Sequence, residues 1–277
     1  MNTYNYIISI PSAEKRRQHI TKEFNTLSIP FTFFDAISPN SHSEIEINQL
    51  IKRLAPSLFH SSHLSIGEKG CFLSHLSLWE KCVVKNYPYI AIFEDDIILS
   101  PTSNRFLADH KWLDNTFASK DPYFILRFET FLMPIKIEKT NIQNIHHRKI
   151  FKMTSQHFGT AGYILTQQAA QYLLEKIRNL KEEEIAPIDE LIFNGFLTEK
   201  NFTVYQLSPA IVVQELQLNK GNSQLNSQLE QERNSKTYKS KEKINLTYKI
   251  YKEIVRPFKR AATFILLKIR KKVIKFK

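Results

Sequence analysis

Apolar and polar residues follow two alternating patterns along the first 210 positions of the chain. Short apolar runs have the length of buried strands, whereas longer segments repeat an apolar residue every three or four positions, as helices packed on a core do. The runs predict strands at 4–10, 31–34, 89–93, 123–128 and 204–207, with weak strand character over 135–150. The periodic segments predict helices at 13–27, 47–54, 67–85, 106–117, 167–179 and 187–196. Such alternation indicates an α/β fold with a mostly parallel central sheet flanked by helices.

A change of pattern after residue 216 divides the chain. Residues 217–240 are rich in Asn, Gln, Ser and Lys and have few apolar residues, so a flexible linker or flap is expected there. Residues 241–277 are basic, and between 254 and 276 their apolar residues recur at steps of three or four. The sequence thus predicts an α/β domain over 1–216, a linker over 217–240 and a basic amphipathic helix within the tail 241–277.

The positive charge of the chain is concentrated in its last 42 residues. The whole chain has a net charge of +12, but residues 236–277 hold 15 basic and 2 acidic residues, and the remainder has a net charge of −1. A nucleic-acid-binding protein usually spreads basic residues along the groove that meets phosphates, so no nucleic-acid partner is expected. A basic amphipathic helix instead suits an anionic membrane surface, where each basic residue contributes about 1 kcal/mol. Docking on its own domain, or self-association, needs the same apolar stripe and stays open.

The cysteines and the N-terminus indicate a reducing compartment. Cys71 and Cys82 are eleven residues apart in one predicted helix, which separates them by roughly 16 Å along its axis. That distance is too long for a disulfide within a straight helix. The first residues lack the features of a secretory signal, and no segment approaches the roughly 20 apolar residues that span a bilayer. A cytoplasmic protein is therefore expected.

Three consecutive acidic residues directly follow one of the buried strands. Glu94, Asp95 and Asp96 come after the apolar run 89–93, at a strand's carboxyl end, where open α/β sheets bind their ligands. Adjacent carboxylates repel one another unless water or a cation screens them, and hard divalent cations prefer oxygen ligands. Taken by themselves, the residues leave two alternatives open: a cation site, or an acidic surface turn at the end of the strand.

An ordered set of short segments around this cluster resembles a known family. The segments are Ile7-Ile8-Ser9 with Arg16-Arg17, Phe34-Asp35-Ala36, Glu68 to His75 with Leu78-Trp79-Glu80, Pro88 to Asp96, Arg127 to Thr130, Gly159 to Tyr163, Pro187-Ile188-Asp189, and Gln206 to Ala210 with Gln214-Glu215. Together they resemble glycosyltransferase family 25, the bacterial lipooligosaccharide biosynthesis enzymes, and in particular its β-1,4-galactosyltransferase members. The similarity runs through most of residues 5–216.

The resemblance implies a fold, a reaction and its partners. The fold would be GT-A-like, a Rossmann-like α/β architecture, and Mn²⁺ or Mg²⁺ would be the cofactor. The enzyme would be inverting and would transfer a hexose, with galactose from UDP-galactose expected, to a terminal GlcNAc or glucose-like sugar of lipooligosaccharide. Because the acceptor is lipid-linked, the protein would be peripheral on the cytoplasmic face of the bacterial inner membrane, with the basic tail on the anionic surface. The alternatives are a UDP-glucose-dependent transferase, another metal-dependent phosphate enzyme such as a nuclease, and a basic-tailed binding protein without catalysis.

Site residues follow from the same resemblance, and several have a structural alternative. Asp96 would bind the metal and the diphosphate, with Glu94 or Asp95 assisting. Asp189 would be the catalytic base, and Glu215 would be the competing base or a further carboxylate of the metal site. The donor would contact Arg16, Arg17, Glu94, Asp95 and Arg127, and the acceptor would contact Thr160, Gly162 and Tyr163. As alternatives, Asp189 could cap a helix, the two N-terminal arginines could lie on a solvated helix face, and Arg127 could form an ion pair with Glu129. His75 could contact the nucleotide or a metal, but it shares a helix face with Phe72 and Trp79, which favours a packed core histidine.

Overall fold

The computed structural model describes residues 4–117, 122–219, 225 and 271–277. Its strands are β1 Asn5–Ser9, β2 Thr32–Asp35, β3 Tyr89–Glu94, β4 Ile97–Leu99, β5 Phe124–Arg127, β6 Glu129–Thr130, β7 Pro134–Ile135, β8 Ile137–Lys139, β9 Lys149–Met153, β10 Gly162–Thr166, β11 Thr203–Ser208, β12 Val212–Gln214 and β13 Lys272–Val273. Its α-helices are α1 Glu14–Thr26, α2 Glu44–Leu54, α3 Ile66–Val84, α4 Asn104–Leu107, α5 Lys111–Phe117, α6 Gln167–Arg178, α7 Ile188–Glu190 and α8 Glu215–Leu218. Short 3₁₀ turns lie at Pro56–Phe59 and Glu182–Glu184, and one π-helical turn follows α7 at Leu191–Gly195.

The central sheet has eight strands in the order β2-β1-β3-β10-β5-β11-β9-β8. The prediction of an α/β fold is confirmed, but the prediction of a mostly parallel sheet is wrong. Only the pairs β2–β1, β1–β3 and β5–β11 are parallel, and the other four are antiparallel. The reason is that β10 runs between β3 and β5 in the opposite direction, and that β8, β9 and β11 pair antiparallel. The sheet is therefore mixed.

Both faces of the sheet are covered by helices. Side chains of successive strand residues point to opposite faces, so Ile7 packs into one core and its neighbours Tyr6 and Ile8 pack into the other. The first core lies under α1, α4 and α5, and the second lies under α2, α3 and α6. Because both faces are buried, the central strands are apolar without interruption. The result is a three-layer α/β/α arrangement.

Helix α3, which carries part of the site, begins at a capping box. The Ser65 hydroxyl accepts a hydrogen bond from the Glu68 backbone N–H at 3.1 Å, and the Glu68 carboxylate accepts one from the Ser65 N–H at 2.8 Å. Two N–H groups that the first helical turn leaves unbonded are thereby satisfied, an effect of about 1 kcal/mol. The cap fixes the residue at which α3 begins, and therefore which of its side chains face the core.

The last residues of the chain add a strand to the domain. The predicted helix over 254–276 is wrong for its final part, because β13 pairs antiparallel with β7. Ile274 is only 3% exposed and packs in the core, and its carbonyl accepts a hydrogen bond from the Thr130 hydroxyl at 2.7 Å. Burying Ile274 and pairing the backbone with a strand edge together favour the extended form over a helix. The rest of the predicted helix, residues 254–270, lies outside the described residues, as does most of the predicted linker.

Within the described part of the chain, none of the helices combines the length and the apolar character that a bilayer crossing requires.

Candidate active site

Four central strands bring polar residues to one edge of the sheet. Strands β1, β3 and β5 end there, at Ser9, Glu94 and Arg127, because they run in the same direction. Strand β10 runs the opposite way and therefore begins at this edge, where Gly162 pairs with Phe93. The cluster that the sequence places at a strand end thus lies where several strand ends meet.

Glu94 and Asp96 converge on a single amide group. The Gln214 side-chain nitrogen lies 3.5 Å from Glu94 Oε2 and 3.4 Å from each carboxylate oxygen of Asp96. Gln214 is held there by the pairing of β12 with β4, which follows the cluster directly. The other oxygen of Glu94, Oε1, accepts a hydrogen bond from the Thr160 hydroxyl at 2.9 Å. The carboxylates of Glu94 and Asp96 therefore converge on one point at the sheet edge, where the Gln214 amide nitrogen lies.

Asp95 points the other way, as expected for alternate residues of an extended segment. Its carboxylate accepts hydrogen bonds from Arg16 at 2.6 Å and from the Ser9 hydroxyl at 2.7 Å. The Arg16 Nε also donates to the Leu225 carbonyl at 2.9 Å. Of the two N-terminal arginines, Arg16 therefore lies beside the acidic cluster.

The local electrostatics favour a positive ligand. Burial raises the pKa of Glu94 well above its ordinary value, and the charges of Asp96 and Glu129 add to the effect. Burial likewise raises the pKa of Asp96, with Arg16 acting in the opposite sense. Carboxylate oxygens are the ligands that a hard divalent cation prefers, and a cation between these two carboxylates would offset their mutual repulsion. The residues present thus fit Mn²⁺ or Mg²⁺.

Glu129 belongs to this cluster, although the sequence did not place it among the site residues. Its side chain is fully buried, and its Oε2 accepts a hydrogen bond from the Ala161 N–H at 2.9 Å. Its Oε1 has no hydrogen-bond partner among the described residues. Burial raises the pKa of Glu129 to about 7, despite the opposing charge of Arg127. Glu129 lies in the segment Arg127 to Thr130 that carries the family resemblance, and it alternates with Arg127 along the chain, but these signals leave an ion pair and a substrate contact equally open.

Gly159 connects Glu129 with Asp189. Its backbone has φ +88°, and its N–H donates to Asp189 Oδ2 at 3.0 Å. A Cβ atom at this position would lie 2.6 Å from Glu129 Oε1, so the side chain of any other residue would collide with the carboxylate. The alternative in which Asp189 caps a helix is wrong, because Pro187 is the N-cap residue of α7. Asp189 lies instead at the rim of the cluster.

Sequence comparison assigns the chain to a family. The sequence model of glycosyltransferase family 25, described as LPS biosynthesis protein, matches residues 2–192. The chain belongs to glycosyltransferase family 25. It is therefore a sugar-transferring enzyme of lipopolysaccharide or lipooligosaccharide biosynthesis.

Individual family members are similar over most of their length. Lipooligosaccharide biosynthesis protein lic2B of Haemophilus influenzae is 44% identical over 229 residues, 83% of this chain and 82% of that protein. Lipooligosaccharide biosynthesis protein lex-1 of the same species is 42% identical over 258 residues, 86% and 85% of the two chains. Lacto-N-neotetraose biosynthesis glycosyltransferase LgtE of Neisseria meningitidis serogroup B is 38% identical over 232 residues, 83% and 81% of the two chains.

Glu215, the second predicted base of this family 25 enzyme, lies next to the acidic cluster. Its backbone N–H donates to the Asp96 carbonyl at 2.8 Å, and its Oε1 accepts a hydrogen bond from Asn219 at 2.8 Å. Glu215 is 4% exposed, whereas Asp189 is half-buried. Glu215 is therefore placed to orient Asp96 through the backbone.

Four of the other predicted contact residues have protein partners around them. Arg17 forms an ion pair with Asp35 on β2 and lies outside the acidic cluster. Arg127 is buried between Glu129, His157 and the Phe158 carbonyl. Gly162 packs against Val212, and Tyr163 is fully buried. A direct sugar or phosphate contact for these residues stays a prediction.

His75 is a core histidine, as the sequence indicated, but it borders the site. It is fully buried, and its Nδ1 lies 2.7 Å from the Tyr163 hydroxyl. Burial lowers the pKa of His75 to about 3, so the imidazole is neutral. Its Nε2 lies 3.9 Å from Glu94 Oε1. Helix α3 thus places the Nε2 of His75 beside Glu94, one of the carboxylates of the acidic cluster.

Proposed function

We propose that this family 25 enzyme is an inverting, metal-dependent hexosyltransferase. Its donor would be UDP-galactose, and its acceptor a terminal GlcNAc or glucose-like sugar of lipooligosaccharide. The observation that carries the proposal is the convergence of Glu94 and Asp96 on one point at the carboxyl end of β3. That point is where ligands of α/β sheets bind, and it supports a GT-A-like arrangement of the donor.

In this proposal Asp96, with Glu94 Oε2, would hold Mn²⁺ or Mg²⁺. Such a cation neutralises the diphosphate and stabilises the charge that develops on the leaving UDP. Asp95 would keep Arg16 at the cluster, since the two side chains are hydrogen-bonded. A guanidinium group matches the geometry of phosphate oxygens, so Arg16 is suited to the donor's diphosphate. Gln214 would orient both metal-binding carboxylates.

Inversion needs a carboxylate that accepts the proton of the attacking acceptor hydroxyl. Asp189 is the base in this proposal, because it is the half-buried carboxylate at the rim and the N–H of Gly159 holds it in place. Glu129 and Glu215 are buried, and their contacts are with the protein. They would position the loop at Gly159 and the Asp96 backbone, respectively.

The enzyme would act at the cytoplasmic face of the inner membrane, where its lipid-linked acceptor is assembled. The basic residues within 241–277 would attract it to the anionic lipid surface. UDP-glucose is the alternative donor, because galactose and glucose differ in the orientation of one hydroxyl and the same metal site would serve both. Donor choice is therefore decided by experiment.

The test is release of UDP from UDP-galactose and UDP-glucose, with GlcNAc- and glucose-terminated acceptors, with and without Mn²⁺. Asp96→Asn should lower kcat at least about 100-fold, because it removes a charge that holds the cation. Asp114→Asn is the matched control, since Asp114 is exposed and hydrogen-bonded to Tyr89 near the amino end of β3. NMR of the product should show a β-linkage from the α-linked donor. Full activity of Asp96→Asn would refute the metal assignment, and an α-linkage would refute inversion.

A further inference from the structure

A second cluster of potential metal ligands lies behind the acidic one. Cys71 and His75 are four residues apart on α3 and therefore share a face of the helix. Glu94, at the end of β3, completes the group. One ligand atom from each residue lies within 4.8 Å of those of the other two, so the three residues could hold one ion.

An unsatisfied nitrogen points into this cluster. His75 is 0% exposed, and its Nε2 has no hydrogen-bond partner among the described residues. That nitrogen lies 3.9 Å from Glu94 Oε1, whereas Nδ1 faces the Tyr163 hydroxyl on the opposite side of the ring. Buried polar atoms without a partner are rare in folded proteins and require an explanation. A ligand between the three residues would provide the missing interaction.

We propose that Cys71 Sγ, His75 Nε2 and Glu94 Oε1 form a binding site for a zinc-type divalent transition ion. Thiolate, imidazole and carboxylate together are ligands of Zn²⁺, whereas Mg²⁺ and Mn²⁺ favour sites made of oxygen. Three protein ligands leave a fourth position of a tetrahedral ion for water. The inner site formed by these three residues is therefore distinct in chemistry from the oxygen site at Asp96.

The surroundings of the inner site support metal binding. Zinc-bound histidines usually donate their other ring N–H to an oxygen, and the Tyr163 hydroxyl is 2.7 Å from Nδ1. The phenol oxygen has lone pairs for that proton and for the Trp79 N–H, which donates to it at 2.9 Å. Thr160 holds Glu94 Oε1, the oxygen that faces His75. Binding would release the proton of the Cys71 thiol, because thiolate is the metal-binding form.

The two sites would share Glu94. Its Oε1 faces the inner site, and its Oε2 faces Gln214 and Asp96. Two cations at one carboxylate repel each other, so Zn²⁺ at the inner site would raise the Mn²⁺ concentration needed for activity. This consequence rests on the proposed function, whereas the binding of Zn²⁺ does not.

Cobalt provides a direct spectroscopic test, because Co²⁺ adopts zinc geometry and a cobalt–thiolate bond absorbs in the near ultraviolet. The full-length protein, stripped with chelator, would be titrated with CoCl₂ and then with ZnCl₂. One equivalent of Co²⁺ should give the thiolate charge-transfer band, and Zn²⁺ should abolish it. Cys71→Ser should lose the band. Cys82→Ser is the matched control and should keep it, because Cys82 lies in the core and donates to the Tyr87 carbonyl.

Asp96→Asn separates this proposal from the proposed function. That variant should keep the cobalt band even though it loses transferase activity. A wild-type protein without a charge-transfer band at one equivalent of Co²⁺, or an equally strong band in Cys71→Ser, would overturn the inner site. Either result would leave the Mn²⁺-dependent transferase assay unaffected.

A second measurement needs no folded cysteine variant. Cys71 is half-buried and Cys82 is buried, so iodoacetamide should label Cys71 first in the native wild-type protein. One equivalent of Zn²⁺ should slow this labelling at least tenfold, and His75→Gln should remove the protection while far-ultraviolet circular dichroism confirms its fold. Labelling of Cys71 at the same rate with and without Zn²⁺ would contradict the proposal.

Discussion

The acidic side chains at the sheet edge influence one another's ionisation. Burial raises the pKa of Glu94, Asp96 and Glu129, and the charge of Asp96 raises the pKa of Glu94 and of Glu129 further. A carboxyl whose pKa is higher in the folded state than in the unfolded chain stabilises the fold at low pH. That stabilisation is lost as the pH rises through the folded-state pKa. A cation bound to the ionised carboxylates would reverse the trend.

Glu129→Gln should make stability less dependent on pH. The pKa of Glu129 is about 7 in the fold against an ordinary value of 4.5, so the wild type should lose on the order of 3 kcal/mol from this group between pH 4.5 and 7.5. The variant should lack that loss, as measured by urea unfolding across the same range. Glu138→Gln, at an exposed position on β8, is the control and should follow the wild type. Identical pH profiles for Glu129→Gln and the wild type would contradict the raised pKa.

Mn²⁺ should stabilise the protein more at high pH than at low pH. The cation needs ionised Glu94 and Asp96, whose raised pKa values make ionisation incomplete in acid. Thermal unfolding with and without Mn²⁺ should therefore show a larger increase in Tm at pH 8 than at pH 5. Asp96→Asn should remove most of the increase at pH 8. An increase that is the same at both pH values would show that Mn²⁺ binds elsewhere.

Gly159→Ala should impair both folding and catalysis. The residue would have to keep φ +88° with a methyl group 2.6 Å from Glu129 Oε1, which costs about 1–3 kcal/mol. Displacement of the loop would also disturb the bond from Gly159 N–H to Asp189, so kcat for UDP release should fall. Gly195→Ala is the matched control, because the nearest atom to a Cβ there is 3.8 Å away. If the two variants unfold at the same urea concentration, the collision does not exist.

At the scale of elements, the sequence predicts the strands and helices that depend on the local pattern of apolar and polar residues. The buried strand before Glu94 and the helix that carries His75 follow from apolar runs and helical spacing, and both are present within one residue of the predicted bounds. The direction of β10 does not follow, because it depends on pairing with residues 36 to 40 and 69 to 77 positions earlier in the chain. The place of Glu129 in the site depends on the same pairing, since β10 holds the loop of Gly159 and Ala161 over it.

The C-terminal strand illustrates why a periodic pattern is insufficient. Apolar residues at steps of three or four, Val273 among them, predict a helix through 276, yet Val273 is 49% exposed and its neighbour Ile274 is buried. Which form is adopted is decided by a distant partner, β7, and by the hydroxyl of Thr130. Neither is visible in the tail itself.

Ile274→Ala should destabilise the whole domain. The side chain is buried in the core under α2, α3 and α6, so its truncation should lower the free energy of unfolding by about 2–4 kcal/mol. The adjacent Val273 is 49% exposed, and Val273→Ala should change it by less than about 0.5 kcal/mol. Urea unfolding of both variants measures the difference. Equal effects would show that the segment does not dock in solution.

At the scale of the whole molecule, charge is segregated. Residues 1–235 are close to neutral, whereas the last 42 carry the excess positive charge.

Replacing Lys259, Arg260, Lys268 and Arg270 by Gln should weaken binding to anionic vesicles at least about 100-fold, at about 1 kcal/mol per charge. Activity on a soluble acceptor should be unchanged. The matched control replaces the exposed domain residues Lys52, Lys85, Lys152 and Lys200 by Gln, and co-sedimentation measures binding. Equal losses in both variants would place the membrane contact outside the tail.

The docked C-terminus also limits how far the basic residues can reach. Leu225 is hydrogen-bonded to Arg16, and β13 begins at Lys272, so both residues are fixed to the domain. A chain of about 45 residues between two fixed points can reach at most about 80 Å from them, half of its fully extended length. A lipid surface bound by these basic residues would be held within that distance of the domain. Deleting the tail from residue 240 onward would confound any membrane assay, since it also removes Ile274 from the core.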